Sequence, residues 1–184
     1  MHERGTQRVV IAALLYNNAP IMPQWSAAVL EAVRLLGPQN VLVSIVESGS
    51  TDGTAGQLRR LEADLTALGA LHSISTGRDL VQPVWKPPKW YRPQPREGAN
   101  RIAYLAGLRN AALWPMLELA RTKPRFDKVV FVNDVLLCGG DLLRLLAHDA
   151  DMACGYDYAT PGFYDNWVLE YGWDDHKRSA HLGC

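Results

Sequence analysis

The sequence predicts an α/β domain: a mainly parallel sheet with helices on both faces. Two observations carry that prediction. Short continuous apolar runs, "RVVIAALL" (8–15) and "NVLVSIV" (40–46), alternate with longer segments whose apolar residues recur every three or four positions. Glycine and proline punctuate the changes from one kind of segment to the other. Strands covered on both faces read as unbroken hydrophobic runs, and a helix between two of them implies a right-handed crossover to a parallel neighbour.

The elements follow in order. After the first strand and "YNNAP", Pro20 and Pro23 mark a helix entry, and "QWSAAVLEAVRLLG" ends at Gly37 with Pro38 behind it. "NVLVSIV" is the second strand. "TAGQLRRLEADLTALG" places leucines at 58, 61, 65 and 68 on one helical face and stops at Gly69. "ALHSIS" (70–75) is a short third strand. Residues 76–97 hold five prolines and no period, so they form a long loop, a feature usually tied to function. "GANRIAYLAGLRNAALWPMLELA" (98–120) is helical, with a kink or break expected at Pro115. "FDKVVFVND" (126–134) is a fourth strand, "GGDLLRLLAH" (139–148) a short helix, and "ADMACGYDY" (150–158) a fifth strand.

At 184 residues the chain is read as one domain, 1–184, with enough length for a real core. Hydrophobic content of 48% against 21% charged excludes a disordered chain. Zero net charge points to no nucleic-acid partner. The distribution is uneven: residues 76–128 hold eleven Lys/Arg against four Asp/Glu, whereas 129–184 hold three against nine. A basic middle and an acidic rear suit an anion and a cation held side by side; solvated surface charge explains them equally well. Cys138, Cys154 and Cys184 show no CxxC spacing. No apolar run reaches membrane-span length and residues 1–10 form no signal peptide, so membrane association is expected only through segments absent from this chain.

Ligands of parallel α/β sheets bind beyond the carboxyl ends of the strands. The polar clusters "YNN", "ESGSTD", "ND" and "YDYATPGFYDNW" should therefore converge on one edge. In "ESGSTDGT", a turn with Gly49 at positive φ and Ser50, Thr51 or Asp52 as helix cap accounts for most residues. It leaves Glu47, a carboxylate at a strand end, free to accept from a nucleobase N–H or a ribose hydroxyl. In "FVNDV", Asn133 and Asp134 close the fourth strand; Asp134 either caps the next segment or holds a divalent cation between phosphates. Arg101 and Arg109 project from roughly one side of their helix, toward a phosphate or simply along the surface. "GFYDNWVLEYGWDDH" (162–176) mixes Tyr164, Trp167, Tyr171 and Trp173 with acids, which suits carbohydrate or an aromatic edge of the core.

Taken in order, "NNAPIMPQW", "NVLVSIVESGSTDGT", "LAGLRNAAL", "FDKVVFVNDV" and "YDNWV" resemble the fungal capsule-associated α-1,3-mannosyltransferases, the cryptococcal mannosyltransferase type of glycosyltransferase family 69. The resemblance spans roughly residues 9–170. It implies a Rossmann-like GT-A glycosyltransferase fold, GDP-mannose as donor, a mannose-containing glycan as acceptor, and Mn²⁺ or Mg²⁺ as metal. "ESGSTDGT" is similar to the "DDGSTDGT" turn of the broad inverting family, but Ser48 stands at its second acid. The D-x-D metal motif is reduced to Val132-Asn133-Asp134, so Asp134 alone carries over.

By this resemblance Asp134 binds the metal, and Asp134, Asp165 and Arg109 form the catalytic set. Asn17, Glu47, Ser48, Asp52, Arg101, Arg109 and Asn133 bind the donor, while Tyr164, Asp165 and Trp167 face the acceptor sugars. Such enzymes continue beyond the "YDNWV" region and work in the secretory pathway, in the Golgi lumen. The alternatives are a non-catalytic nucleotide-sugar or glycan-binding domain and, less well matched, a nucleotidyltransferase, whose Gly-rich basic loop is replaced here by "YNNAP".

Overall fold

The computed structural model of the chain describes residues 7–77 and 101–155, together with the paired residues 158–159 and 162–163. Four strands, β1 (Val9–Leu15), β2 (Val41–Glu47), β3 (Leu71–Thr76) and β4 (Lys128–Val132), form one sheet in the order β3-β2-β1-β4. Every pairing in it is parallel, with Leu15 opposite Glu47, Glu47 opposite Thr76, and Ala13 opposite Val132. The α/β class expected from alternating strand and helix runs is therefore what the chain adopts.

Helices α1 (Met22–Leu36), α2 (Thr54–Leu68) and α4 (Gly139–Leu146) join one core, and α3 (Arg101–Leu119) joins another. The pleat explains the division, because successive strand residues point to opposite faces. Val9, Ile11, Ala13 and Leu15 meet Trp25, Val29, Leu58 and Leu65, while Val10 and Ala12 meet Leu108 and Ala112. Both faces of β1 and β2 are buried, which is why their sequences carry no polar alternation.

Gly69 stops α2 at φ 71°, where the Gly69 and Ala70 amides donate to the Thr66 and Leu65 carbonyls, closing the helix end as a left-handed glycine cap. Helix α3 runs as one element through Pro115, so no break occurs there. The fifth strand is a correction. Residues 150–155 pair with nothing in the sheet, and Met152 is 82% exposed. Asp149 and Asp151 interrupt the apolar residues there, leaving no run able to enter a buried sheet. Tyr158–Ala159 (β5) pairs, antiparallel, with Gly162–Phe163 (β6).

Candidate functional site

The strand order places the site. The chain winds from β1 outward through β2 to β3, then returns by α3 to lay β4 on the other side of β1. Helices α1 and α2 cover one face and α3 the other, so the winding reverses between β1 and β4. Connections leaving a reversal point diverge and open a crevice at the carboxyl ends. A cavity of about 390 Å³ lies there. Its walls are Leu14 and Leu15 from β1, Tyr16 just after it, Ser48 after β2, Tyr104, Leu105 and Arg109 from α3, and Asn133 and Asp134 after β4.

The loops after β1 and β2 are bound into one rim. Asn17 sits at φ 53°, a left-handed conformation that asparagine tolerates better than most side chains. Its N–H donates to Ser50 Oγ at 2.9 Å, and its Oδ1 accepts from the Thr51 N–H at 2.9 Å. The Ala19 N–H donates to Asp52 Oδ2 at 2.9 Å, and the Gln57 amide donates to the Ala19 carbonyl at 2.9 Å. Asp52 Oδ1 accepts from the Thr54 hydroxyl at 2.6 Å and the Thr54 N–H at 3.1 Å. The Thr54 hydroxyl donation pulls the Asp52 carboxyl below its ordinary value of 3.8; desolvation opposes this, and the Ala19 and Thr54 amides reinforce it.

Glu47 does not face the cavity as the sequence suggested. It is 1% exposed, with one carboxylate oxygen taking the Ser50 N–H and the other the Gly77 N–H. The turn, with Gly49 at φ 80°, folds its Ser50 amide over the acid, and the Gly77 amide just past β3 covers the other oxygen. A buried carboxylate needs such donors; the reversing backbone supplies one within three residues and the end of β3 supplies the other. Glu47 thus holds the turn. Ser48 beside it lines the cavity, and its N–H donates to the Leu15 carbonyl at 3.1 Å.

Beyond β4, Asn133 and Asp134 are exposed on the cavity. The fully buried Trp25 of α1 donates its indole N–H to the Asn133 carbonyl at 3.1 Å. Asp134 Oδ2 accepts from Asn18 Nδ2 at 3.2 Å, so Asp134 is not a helix cap; helix α4 begins only at Gly139. Arg109 reaches the same cavity from α3 and forms no ion pair among the described residues. An acid and an arginine thus share one pocket.

Among the described residues no three His, Cys, Asp or Glu side chains gather as a ready-made metal cage. One exposed carboxylate, with the Asn133 amide beside it, fits a hard divalent cation whose shell is completed by substrate phosphates and water. It does not fit zinc, which takes three or four protein ligands.

Of the residues singled out in the sequence, Ser48, Arg109, Asn133 and Asp134 come together on the cavity, whereas Asn17 and Asp52 are bonded within the rim. The side chains of Arg101, Tyr164, Asp165 and Trp167 lie outside the described residues, so the acceptor side is not described. Asn18, Tyr16 and Tyr104 were missed. "YNN" marked the first loop as polar, but nothing local distinguished Asn18 from Asn17. Tyr104 read as one more apolar residue of α3.

Fold and cavity define an α/β domain with a pocket at the reversal point of a parallel sheet. The chain belongs to the cryptococcal mannosyltransferase 1 family, whose sequence profile matches residues 8–175. It is also similar to the alpha-1,3-mannosyltransferase CMT1 of Cryptococcus neoformans var. neoformans serotype D, with 27% identity over 161 residues. That match covers 80% of this chain and 32% of the relative, so the chain spans about a third of the relative's length. No solved structure matches it. Among the described residues no helix is long and apolar enough to cross a membrane.

Proposed function

We propose that the chain is the donor-binding domain of a metal-dependent hexosyltransferase, of GT-A type, that moves mannose from GDP-mannose to a mannose-containing glycan in α-1,3 linkage. Family membership supports mannosyl transfer. The observation that carries the donor assignment is the meeting of Asp134 and Arg109 on one cavity at the sheet's reversal point. A diphosphate needs both groups: an arginine for its oxygens, and a carboxylate to hold the divalent cation between them.

In this reading Asp134, with Asn133 beside it, holds Mn²⁺ or Mg²⁺, and the ion supplies charge stabilisation to the departing diphosphate. Arg109 pairs with the phosphate oxygens and adds a fixed positive charge where negative charge accumulates. Ser48 offers a hydroxyl to the nucleoside, and Tyr16 and Tyr104 offer ring surface to the base. Glu47, Asn17 and Asp52 keep the rim in shape. Asp165 and Trp167 belong to the acceptor side. The setting is the secretory pathway, with the Golgi lumen as compartment.

The alternative reading is a donor-binding module that transfers nothing by itself. Titration of GDP-mannose with and without Mn²⁺, followed by melting temperature, tests the shared core of both readings. A rise that needs Mn²⁺ and disappears with chelator is the expected result. No rise with any nucleotide sugar overturns it. Product analysis with a mannose-containing acceptor then separates transferase from binder.

A further inference from the structure

Asn18 is a buried asparagine whose every polar group the fold engages, and its side chain ties the first loop to Asp134. It is 8% exposed. Its Oδ1 accepts from the Tyr16 N–H at 2.6 Å, which fixes the amide plane and settles which end is the donor. Its own N–H is held by Thr54 Oγ1 at 2.8 Å, and its carbonyl accepts from the Ile21 and Met22 amides at the start of α1. Its Nδ2 therefore points in one direction only, at Asp134 Oδ2, 3.2 Å away.

We propose that Asn18 is the positioning residue for Asp134: it engages one carboxylate oxygen and leaves the other directed at the cavity for a divalent cation. The inference rests on the metal-dependent reading above. An exposed aspartate after a strand has rotamer freedom, and an ion bound through one carboxylate gains affinity when that freedom is removed beforehand. Outer partners that orient a metal-binding carboxylate typically change metal affinity about 10–100-fold when removed. Asn18 suits the task because it is anchored on β1's loop, α1 and α2 at once, so it does not move with the loop after β4.

A double-mutant cycle on the full chain decides the matter, with Mn²⁺ plus GDP as the probe and calorimetric affinity as the readout. Asn18→Ala is expected to weaken Mn²⁺-dependent GDP binding about tenfold. Asn18→Ser keeps a short polar group in the loop but cannot reach Asp134, so it should give the same loss and guards against misfolding of the alanine variant. Asp134→Ala should abolish the metal dependence, and adding Asn18→Ser to it should cost nothing more. If Asp134→Ala binds Mn²⁺ and GDP as the unmodified chain does, the metal reading itself fails. If Asp134→Ala loses metal dependence while both Asn18 variants bind normally, only the positioning role fails. An Asn18→Ser loss that persists undiminished beside Asp134→Ala makes Asn18 merely structural and overturns the proposal.

Discussion

The indole Nε1 of Trp25 donates to the main-chain carbonyl of Asn133 at 3.1 Å, across 108 residues of sequence. This bond connects the largest fully buried side chain to the loop that carries Asp134, so core and cavity are mechanically joined. Trp25→Phe keeps an aromatic ring in the core but removes the donor and leaves a smaller volume filled. The expected cost is about 2 kcal/mol, from the unpaired carbonyl and the residual gap. Urea unfolding measures it. Mn²⁺-dependent GDP binding should weaken in the same variant, because the carbonyl next to Asp134 loses its tether.

Glu47→Gln tests the turn. The carboxylate receives the Ser50 and Gly77 amides on separate oxygens, and a glutamine offers one oxygen and one NH₂ in their place. One amide N–H then faces another donor in a buried setting. A loss of about 2 kcal/mol is expected, read from the shift in denaturation midpoint at constant slope. A loss of nucleotide affinity without loss of stability would return Glu47 to the ligand.

What the sequence made legible, and what it hid, divides at the boundary between local and distant. β1 and β2 were readable because strands covered on both faces are nearly continuous apolar runs, and "VVIAALL" and "VLVSIV", with Ser44 its one polar residue, are. Residues 150–155 resembled a strand only in composition; Asp151 interrupts the run and Asp149 precedes it. Asp134 was expected at the sheet's carboxyl edge because it closes a strand, whereas the side to which α3 turns Arg109 is set by packing; both line the cavity. Glu47 was misread because a carboxylate at a strand end faces ligand or turn amides with equal chemical sense, and the turn's path is not written in its residue types. Asn18 stayed hidden because its value lies in contacts with Thr54 and Asp134, 36 and 116 residues away.

Asp52 gives a pH dependence whose sign is fixed. Its carboxyl lies below 3.8 in the folded chain, chiefly through the Thr54 hydroxyl. A depressed folded value means the contribution is fully present above the unfolded value and is lost as pH falls through the folded one. Melting temperatures taken from pH 6 downward should fall as the pH drops below about 4. Asp52→Asn should melt lower than the unmodified chain at pH 6, and the gap should narrow toward pH 3. A gap that stays constant across that range would mean the charge on Asp52 does not matter to the rim.

Arg109 separates phosphate recognition from nucleoside recognition. It is exposed on α3, so Arg109→Ala should leave the unliganded chain's stability within about 0.5 kcal/mol. GDP affinity should fall about tenfold, equivalent to about 1.4 kcal/mol, while guanosine affinity stays unchanged. Arg109→Lys should recover only part of the loss, since an ammonium offers a point charge where the guanidinium offers a planar fork. Raising ionic strength should weaken GDP binding in the unmodified chain more than in Arg109→Ala, because the arginine's charge is the one being screened. Calorimetric titration with GDP and guanosine at two salt concentrations checks all of these together. Equal losses for GDP and guanosine would take Arg109 off the phosphates and place it against the nucleoside.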